Sequence, residues 1–191
     1  MTANFDVIVI GAGIAGSSVA AELVAAGKSV GLLEMESQPG YHSTGRSAAI
    51  LAQTYGNSVI RKLTRASEDF FNTPPPGFAD HSLLSPRAIL RIARPDQADR
   101  LRQLYEDTNE SGVLEWLDEE ALAETAPHLK PGYAICGSIN RTAQDLDVDA
   151  MLQGYLRRFR KGGGALKTGH TVNSMRLEAG QWKVRTRQGE M

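Results

Sequence analysis

The chain opens with two short, unbroken apolar runs, Val7-Ile-Val-Ile10 and Val30-Gly-Leu-Leu33, separated by a stretch made mostly of small residues. An apolar run without alternation reads as a strand covered on both faces, as in a parallel sheet. Strands are expected at 5–10 and 29–34, with a small-residue helix over about 14–27 between them. After Glu34 the pattern turns polar and small over 35–45. A helix is expected to begin near Arg46 and to break or bend at Tyr55-Gly-Asn57. An amphipathic helix from Ser58 to about Phe71 makes Ile60, Leu63, Phe70 and Phe71 core candidates, and Thr73-Pro-Pro-Pro-Gly77 ends it, because proline donates no helix hydrogen bond.

The pattern then shortens. Ala88 to Ala93 reads as a strand, and Pro95 starts a charged helix reaching about Glu110 through Leu101, Leu104 and Tyr105. Leu114 to Leu117 is a short strand, Asp118 to Ala126 a short helix with acids at its positive end, and Gly132 to Ile139 a strand. Asp145 to Asp149 reads as a polar loop, in which Asp147 caps a helix that runs to Lys161 and stops at Gly162-Gly-Gly164. Strands are expected at 165–167, 172–178 and 181–186. The last is followed by a turn, which would leave it without a partner on one edge.

Candidate chemistry sits at the first junction. The strand leads into Gly11-x-Gly13-x-x-Gly16. Gly11 suits a tight turn, Gly13 a close approach of backbone to pyrophosphate, and Gly16 close packing of helix on sheet. Amides at the helix start then face the phosphates. Ile14 and Ala15 stand inside the motif, Ala15 beside the adenosine. Glu34 lies eighteen residues after Gly16, near the spacing of about 20 for an acid that accepts ribose hydroxyls. Met35 follows it toward the adenosine. An acid here disfavours a 2′-phosphate and hence NADP, and leaves NAD and FAD. The long segment Gln38-Pro-Gly-Tyr-His42-Ser-Thr-Gly-Arg46-Ser-Ala-Ala-Ile50, with hydroxyls and free amides, suits the second half of the larger dinucleotide.

Gly11 to Gly16, Glu34 and above all Pro39-Gly-Tyr-His-Ser-Thr-Gly-Arg-Ser-Ala-Ala49 resemble the D-amino-acid oxidase superfamily of flavoproteins. Among its members they are most similar to the D-arginine dehydrogenase type. Tyr55-Gly56, Phe70-Phe71, Pro75, Gly77-Phe78, Leu83-Leu-Ser-Pro-Arg87, Asp147-x-Asp149 and Gln153-Gly-Tyr-Leu156 continue the match. The resemblance implies an α/β fold: a Rossmann-type FAD-binding domain with an inserted α+β substrate region, incomplete at its C-terminal end. The expected division is 1–80 for FAD binding, 81–142 for part of the substrate region, and 143–191 for a return to the FAD-binding domain. It implies FAD contacts from His42, Ser43, Thr44, Gly45, Arg46, Ser47, Ala48 and Ala49, and from the Val172 backbone at the adenine. It also implies that Tyr55 lines the substrate pocket. The D-arginine type commonly carries a histidine where Ile50 stands and an acid where Ile89 stands. Ile50 and Ile89 therefore make an apolar pocket lining that suits an uncharged D-amino acid or another amine.

Composition narrows the remaining classes. A net charge of −1 gives no case for nucleic acid. No apolar run approaches the ~20 residues that span a bilayer, and the glycine-broken first run does not read as a signal peptide. The single cysteine, Cys136, excludes an internal disulfide and suits a reducing cytoplasm; it reads as a small buried residue. His42, His81, His128 and His170 show no ligand spacing, so no metal is expected. The expected activity is oxidative deamination of a D-amino acid. The alternatives are a sister flavoenzyme acting on a secondary amine or 2-hydroxy acid, a plain NAD dehydrogenase, and a non-catalytic dinucleotide-binding fragment. Members of the family being longer, a C-terminal half of the same enzyme is the expected partner.

Overall fold

Glycine and proline punctuate the chain often enough that, among the described residues, no element exceeds fifteen residues. The computed structural model describes residues 4–191. Its first elements are β1 (Val7–Ile10), α1 (Ile14–Ala25), β2 (Val30–Leu33), β3 (Ile50–Leu51), α2 (Ser58–Asn72), β4 (Leu84–Pro86) and β5 (Ile89–Ala93). Then come α3 (Ala98–Thr108), β6 (Leu114–Leu117), α4 (Glu119–Thr125), β7 (Cys136–Asn140), β8 (Gln144–Leu146) and α5 (Val148–Lys161). The chain closes with β9 (Ala165–Lys167), β10 (Val172–Glu178), β11 (Gln181–Thr186) and β12 (Gly189–Glu190). These form two compact units.

The first unit holds the chain up to Ala48, Pro74–Leu83 and Asp147–Met191. Its parallel sheet has the order β1-β2-β9, with Val7 opposite Val30 and Leu32 opposite Leu166. β2 is buried along its length, as an unbroken apolar run requires. Small residues of α1, Ala20 and Ala21, let α5 pack through Leu152, Leu156 and Phe159 into one core with Val24, Val30 and Leu32. Full burial of side chains such as Leu156 and Phe159 stabilises by about 1.5–3 kcal/mol each. A second cluster joins Leu33, Val184 and Met191, tying the antiparallel sheet β10-β11-β12 to the unit.

Asp147 starts α5 as expected: its side chain accepts from the Ala150 amide at 2.8 Å and pairs with His81 Nε2 at 2.9 Å. The Ala150 amide first, then His81, hold its carboxyl below the usual aspartate range. A lowered acid stabilises the fold above its unfolded pKa, and that stabilisation is lost as pH falls through the folded pKa. Asp147→Ala is expected to cost about 1 kcal/mol at neutral pH. In thermal melts its deficit against the parent should shrink as the solution is acidified; a deficit constant with pH would refute this cap.

The second unit, Ala49–Thr73 with Leu84–Leu146, contains two antiparallel sheets of order β3-β8-β4 and β5-β7-β6. α4, capped by Asp118 on the Ala121 amide at 2.9 Å, covers one face of the latter through Leu122, Leu117 and Ile139. Cys136 lies buried with Ala93 and Leu101, and burial pushes its thiol pKa up, so it behaves as a small apolar residue.

Four expectations are corrected. No helix begins at Arg46: Thr44–Arg46 is a single 3-10 turn, followed by β3. The loop expected over 145–149 holds β8, because Gln144–Leu146 pairs with both β3 and β4. Ile60 and Leu63 are exposed by 42% and 59%; the buried side of α2 is taken instead by Arg61, which donates to the Gly56 carbonyl at 2.9 Å and to Glu110 at 2.8 Å. Finally, β11 is not left with an open edge, since it lies between β10 and β12.

Candidate functional site

The turn between β1 and α1 is built around backbone. Gly11 sits at φ +95°, a left-handed conformation that glycine adopts without Cβ strain. A Cβ on Gly16 would lie 1.9 Å from the Gly11 carbonyl oxygen, so only glycine lets α1 start this close to the strand. Gly13 caps α1 with no side chain, and the first turn of α1 carries no acid. The Ile14 amide donates to Thr44 Oγ1 at 3.0 Å. The Ala15 and Gly16 amides have no acceptor among the described residues. Unpaired amides at the positive end of a helix form an anion site.

Glu34, at the end of β2, is 6% exposed. Its carboxylate accepts the Ala12 amide at 2.8 Å and the Glu36 amide at 3.0 Å. Each oxygen keeps a further lone pair, so the group secures the turn and can still take a hydroxyl.

These elements enclose a groove of about 320 Å³ within the first unit, lined by Gly11, Gly13, Glu34, Met35, His42, Ser43, Thr44 and Val172. Eight of the residues singled out from the sequence thus meet in one place. Ile10, Leu33, Gly40, Tyr41, His170 and Thr171 complete the lining. Tyr41 lay within the quoted loop; His170 and Thr171 carried no motif, and their only signal was adjacency to Val172. Of the remaining candidates, Ile14 holds Thr44 by its amide, and Ala15 is exposed at the start of α1. Gly16 is closed in behind Gly11. Gly45 bonds back to the Gly40 carbonyl at 2.7 Å. Arg46 stacks over Tyr41 at 5.3 Å, Ser47 closes the 3-10 turn, and Ala48 is exposed.

Ala49, Ile50, Tyr55 and Ile89 belong to the second unit. Ala49 adopts φ 51°, a costly conformation for a residue with a Cβ, and its carbonyl accepts from the Leu146 amide at 2.7 Å. Ile50 in β3 is 38% exposed, and Tyr55, in the turn before α2, is 70% exposed. Ile89 is half-buried at the start of β5.

Residues 6–191 match the sequence model of the DAO family, described as FAD dependent oxidoreductase. The chain belongs to this family. Among solved structures, glycine oxidase from Geobacillus kaustophilus superposes with a TM-score of 0.81 at 18% identity, over 98% of this chain and 52% of its own. L-Proline dehydrogenase from P. horikoshii gives 0.78 at 20% identity, over 100% and 51%. Dithionite-reduced L-alpha-glycerophosphate oxidase from Mycoplasma pneumoniae, with FAD bound, gives 0.80 at 15% identity, over 96% and 50%. At such identities the likeness establishes the fold, and the chain spans about half the length of these relatives.

FAD is the cofactor of this DAO-family chain. The groove suits it chemically, with an acceptor carboxylate for a ribose and apolar walls from Ile10, Leu33 and Met35; the unpaired Ala15 and Gly16 amides follow its lining residue Gly13 at the start of α1. No helix among the described residues is long and apolar enough to cross a membrane.

Proposed function

We propose that the chain forms the FAD-binding part and some of the substrate side of an enzyme that oxidises a D-amino acid with an uncharged side chain. The Cα–H leaves as hydride and the amine loses a proton; the imino acid is then hydrolysed to a keto acid and ammonia. Bound FAD supplies the two-electron acceptor for that hydride. The observation that carries the reading is the groove in which Gly13, Glu34 and Thr44 converge at the start of α1.

The chain's own residues bind and orient. Gly13, Ala15 and Gly16 present backbone to the pyrophosphate, Gly11 makes the turn that brings them there, Ile14 holds Thr44 beside them, and Glu34 takes the ribose hydroxyls. Met35 and the Val172 backbone flank the base. His42, Ser43 and Thr44 continue along the phosphates, and Gly45, Arg46, Ser47, Ala48 and Ala49 lead on to the ribityl chain and ring. Residues 1–80 and 143–191 serve the cofactor and 81–142 the substrate, and Tyr55 and Ile50, from the first of these stretches, join Ile89 in lining the pocket. We assign the clamp on the substrate carboxylate to the half of the relatives' fold that this chain does not span, supplied as a partner segment.

The first test is an absorbance spectrum of the purified protein, with and without that partner segment, followed by anaerobic addition of D-leucine, D-phenylalanine, D-arginine, sarcosine or a 2-hydroxy acid. A flavin band bleached by the first two supports the proposal. Bleaching by sarcosine or the hydroxy acid alone replaces its substrate, and absence of any flavin ends it. At the Ile89 position a buried guanidinium would lack a partner, at a cost of several kcal/mol. D-leucine is therefore expected to exceed D-arginine in kcat/KM by about 100-fold, at ~1.4 kcal/mol per tenfold, and Ile89→Glu to narrow or reverse that ratio. A parent enzyme that prefers D-arginine would contradict the assignment of Ile89.

A further inference from the structure

Two histidines line the groove, and they differ in what holds them. His42 Nε2 is 2.8 Å from Glu36 Oε1. His170 is fixed through the backbone: its amide donates to the Glu34 carbonyl at 2.7 Å, the Gly169 amide to the Glu36 carbonyl at 2.8 Å, and the Glu34 amide to Lys167 at 2.9 Å. The segment before β10 is thus latched to the end of β2, which sets His170 in register with the Glu34 carboxylate and with Met35.

The imidazole has a defined polarity. Its Nδ1 lies 2.8 Å from the Thr168 carbonyl oxygen. A carbonyl only accepts, so Nδ1 carries the hydrogen, and the neutral ring must present Nε2 as a bare acceptor. Nε2 has no partner among the described residues. A dinucleotide with its phosphates at α1 and its ribose at Glu34 places its base next along the groove, at the wall made by Met35, His170, Thr171 and Val172.

The geometry points to a base-reading role for His170: Nε2 accepts from the exocyclic amine at purine C6 and so selects adenine over hypoxanthine or guanine. Those bases carry a carbonyl at C6, whose lone pairs oppose those of Nε2. A site built to pair with a donor rejects an analogue that lacks it, because the acceptor is left unpaired. This inference rests on reading the groove as the FAD site.

The test compares ADP with IDP, which differ at C6, amine against carbonyl, and at N1, acceptor against N–H donor, by titration calorimetry on the 191-residue chain. ADP is expected to bind about tenfold more tightly, the scale of one hydrogen bond. His170→Phe keeps a ring and removes the acceptor; it should weaken ADP, leave IDP unchanged or tighter, and bring the ratio near one. His170→Gln, whose amide can turn either edge to the base, should give an intermediate ratio. Equal affinities for the two nucleotides in the parent chain overturn the assignment even if the variants fail to fold, and so does a ratio unchanged by His170→Phe. Glu34→Ala separates the two readings. If it abolishes ADP binding while the parent shows no preference over IDP, the groove reading stands and His170 has no base-reading role. If ADP fails to bind the parent, or binds equally after Glu34→Ala, both fall.

Discussion

Replacing Glu34 by alanine is expected to strip the protein of flavin, weakening FAD by at least about 100-fold, or ~2.8 kcal/mol. Glu34 is 6% exposed, and its carboxylate accepts two backbone amides, from Ala12 at 2.8 Å and Glu36 at 3.0 Å. Hydrogen bonds to a charged group contribute about 1.5–3 kcal/mol each, and a buried amide left unpaired costs about 1–3 kcal/mol. The Ala12 amide lies inside the glycine turn, so its loss loosens the backbone that faces the phosphates, while the proposed ribose acceptor disappears with the same side chain. Two effects therefore coincide, and Glu34→Gln separates them in part. It keeps the volume and one acceptor oxygen, but turns an NH₂ toward one of the two donors, so it should fall between parent and alanine in both melting temperature and flavin content. The ratio of flavin to protein absorbance after purification, together with a thermal melt, reads both. Full flavin content in Glu34→Ala would show that the groove does not hold the cofactor by this acid.

The part of the molecule legible in the sequence is the part whose cause is local. β1, α1, β2 and Glu34 follow one another within a single βαβ stretch, and the motif fixes glycines where the backbone turns or approaches closely. The cap at Asp147 was equally visible, since it acts three residues along. β3 and β8 were not, because Ile50 pairs with Asp145 across ninety-five positions and neither segment is long enough to show a period of two. Amphipathicity misled at Ile60 and Leu63 for a related reason: a repeat shows that a helix face is apolar, not that another element covers it. His170 was missed because a single histidine in a loop has no pattern at all. Only the latch of residues 167–170 onto residues 34–36 brings it to the groove.

Gly16→Ala is expected to damage cofactor binding as severely as any change at the acid, through packing rather than chemistry. The added carbon would stand 1.9 Å from the Gly11 carbonyl oxygen, 3.1 Å from its carbon and 3.3 Å from Val9 Cγ1. The obstacle is backbone on one side and a core-facing strand on the other, so no flexible side chain can swing away. Relief requires the start of α1 to move off β1, the same movement that turns its free amides from the groove. Forcing extra volume into a packed site costs about 1–3 kcal/mol, and misplacing the amide cluster by about 1 Å is enough for a loss on the order of 100-fold where alignment governs the interaction. ADP titration and thermal melting should therefore both shift. Val19→Ala on the same helix, where the side chain is 52% exposed, should move stability by no more than about 0.5 kcal/mol and leave ADP affinity alone. If Gly16→Ala binds ADP like the parent, the close approach of helix to strand is not what aims the amides, and the phosphate site must lie elsewhere on the chain.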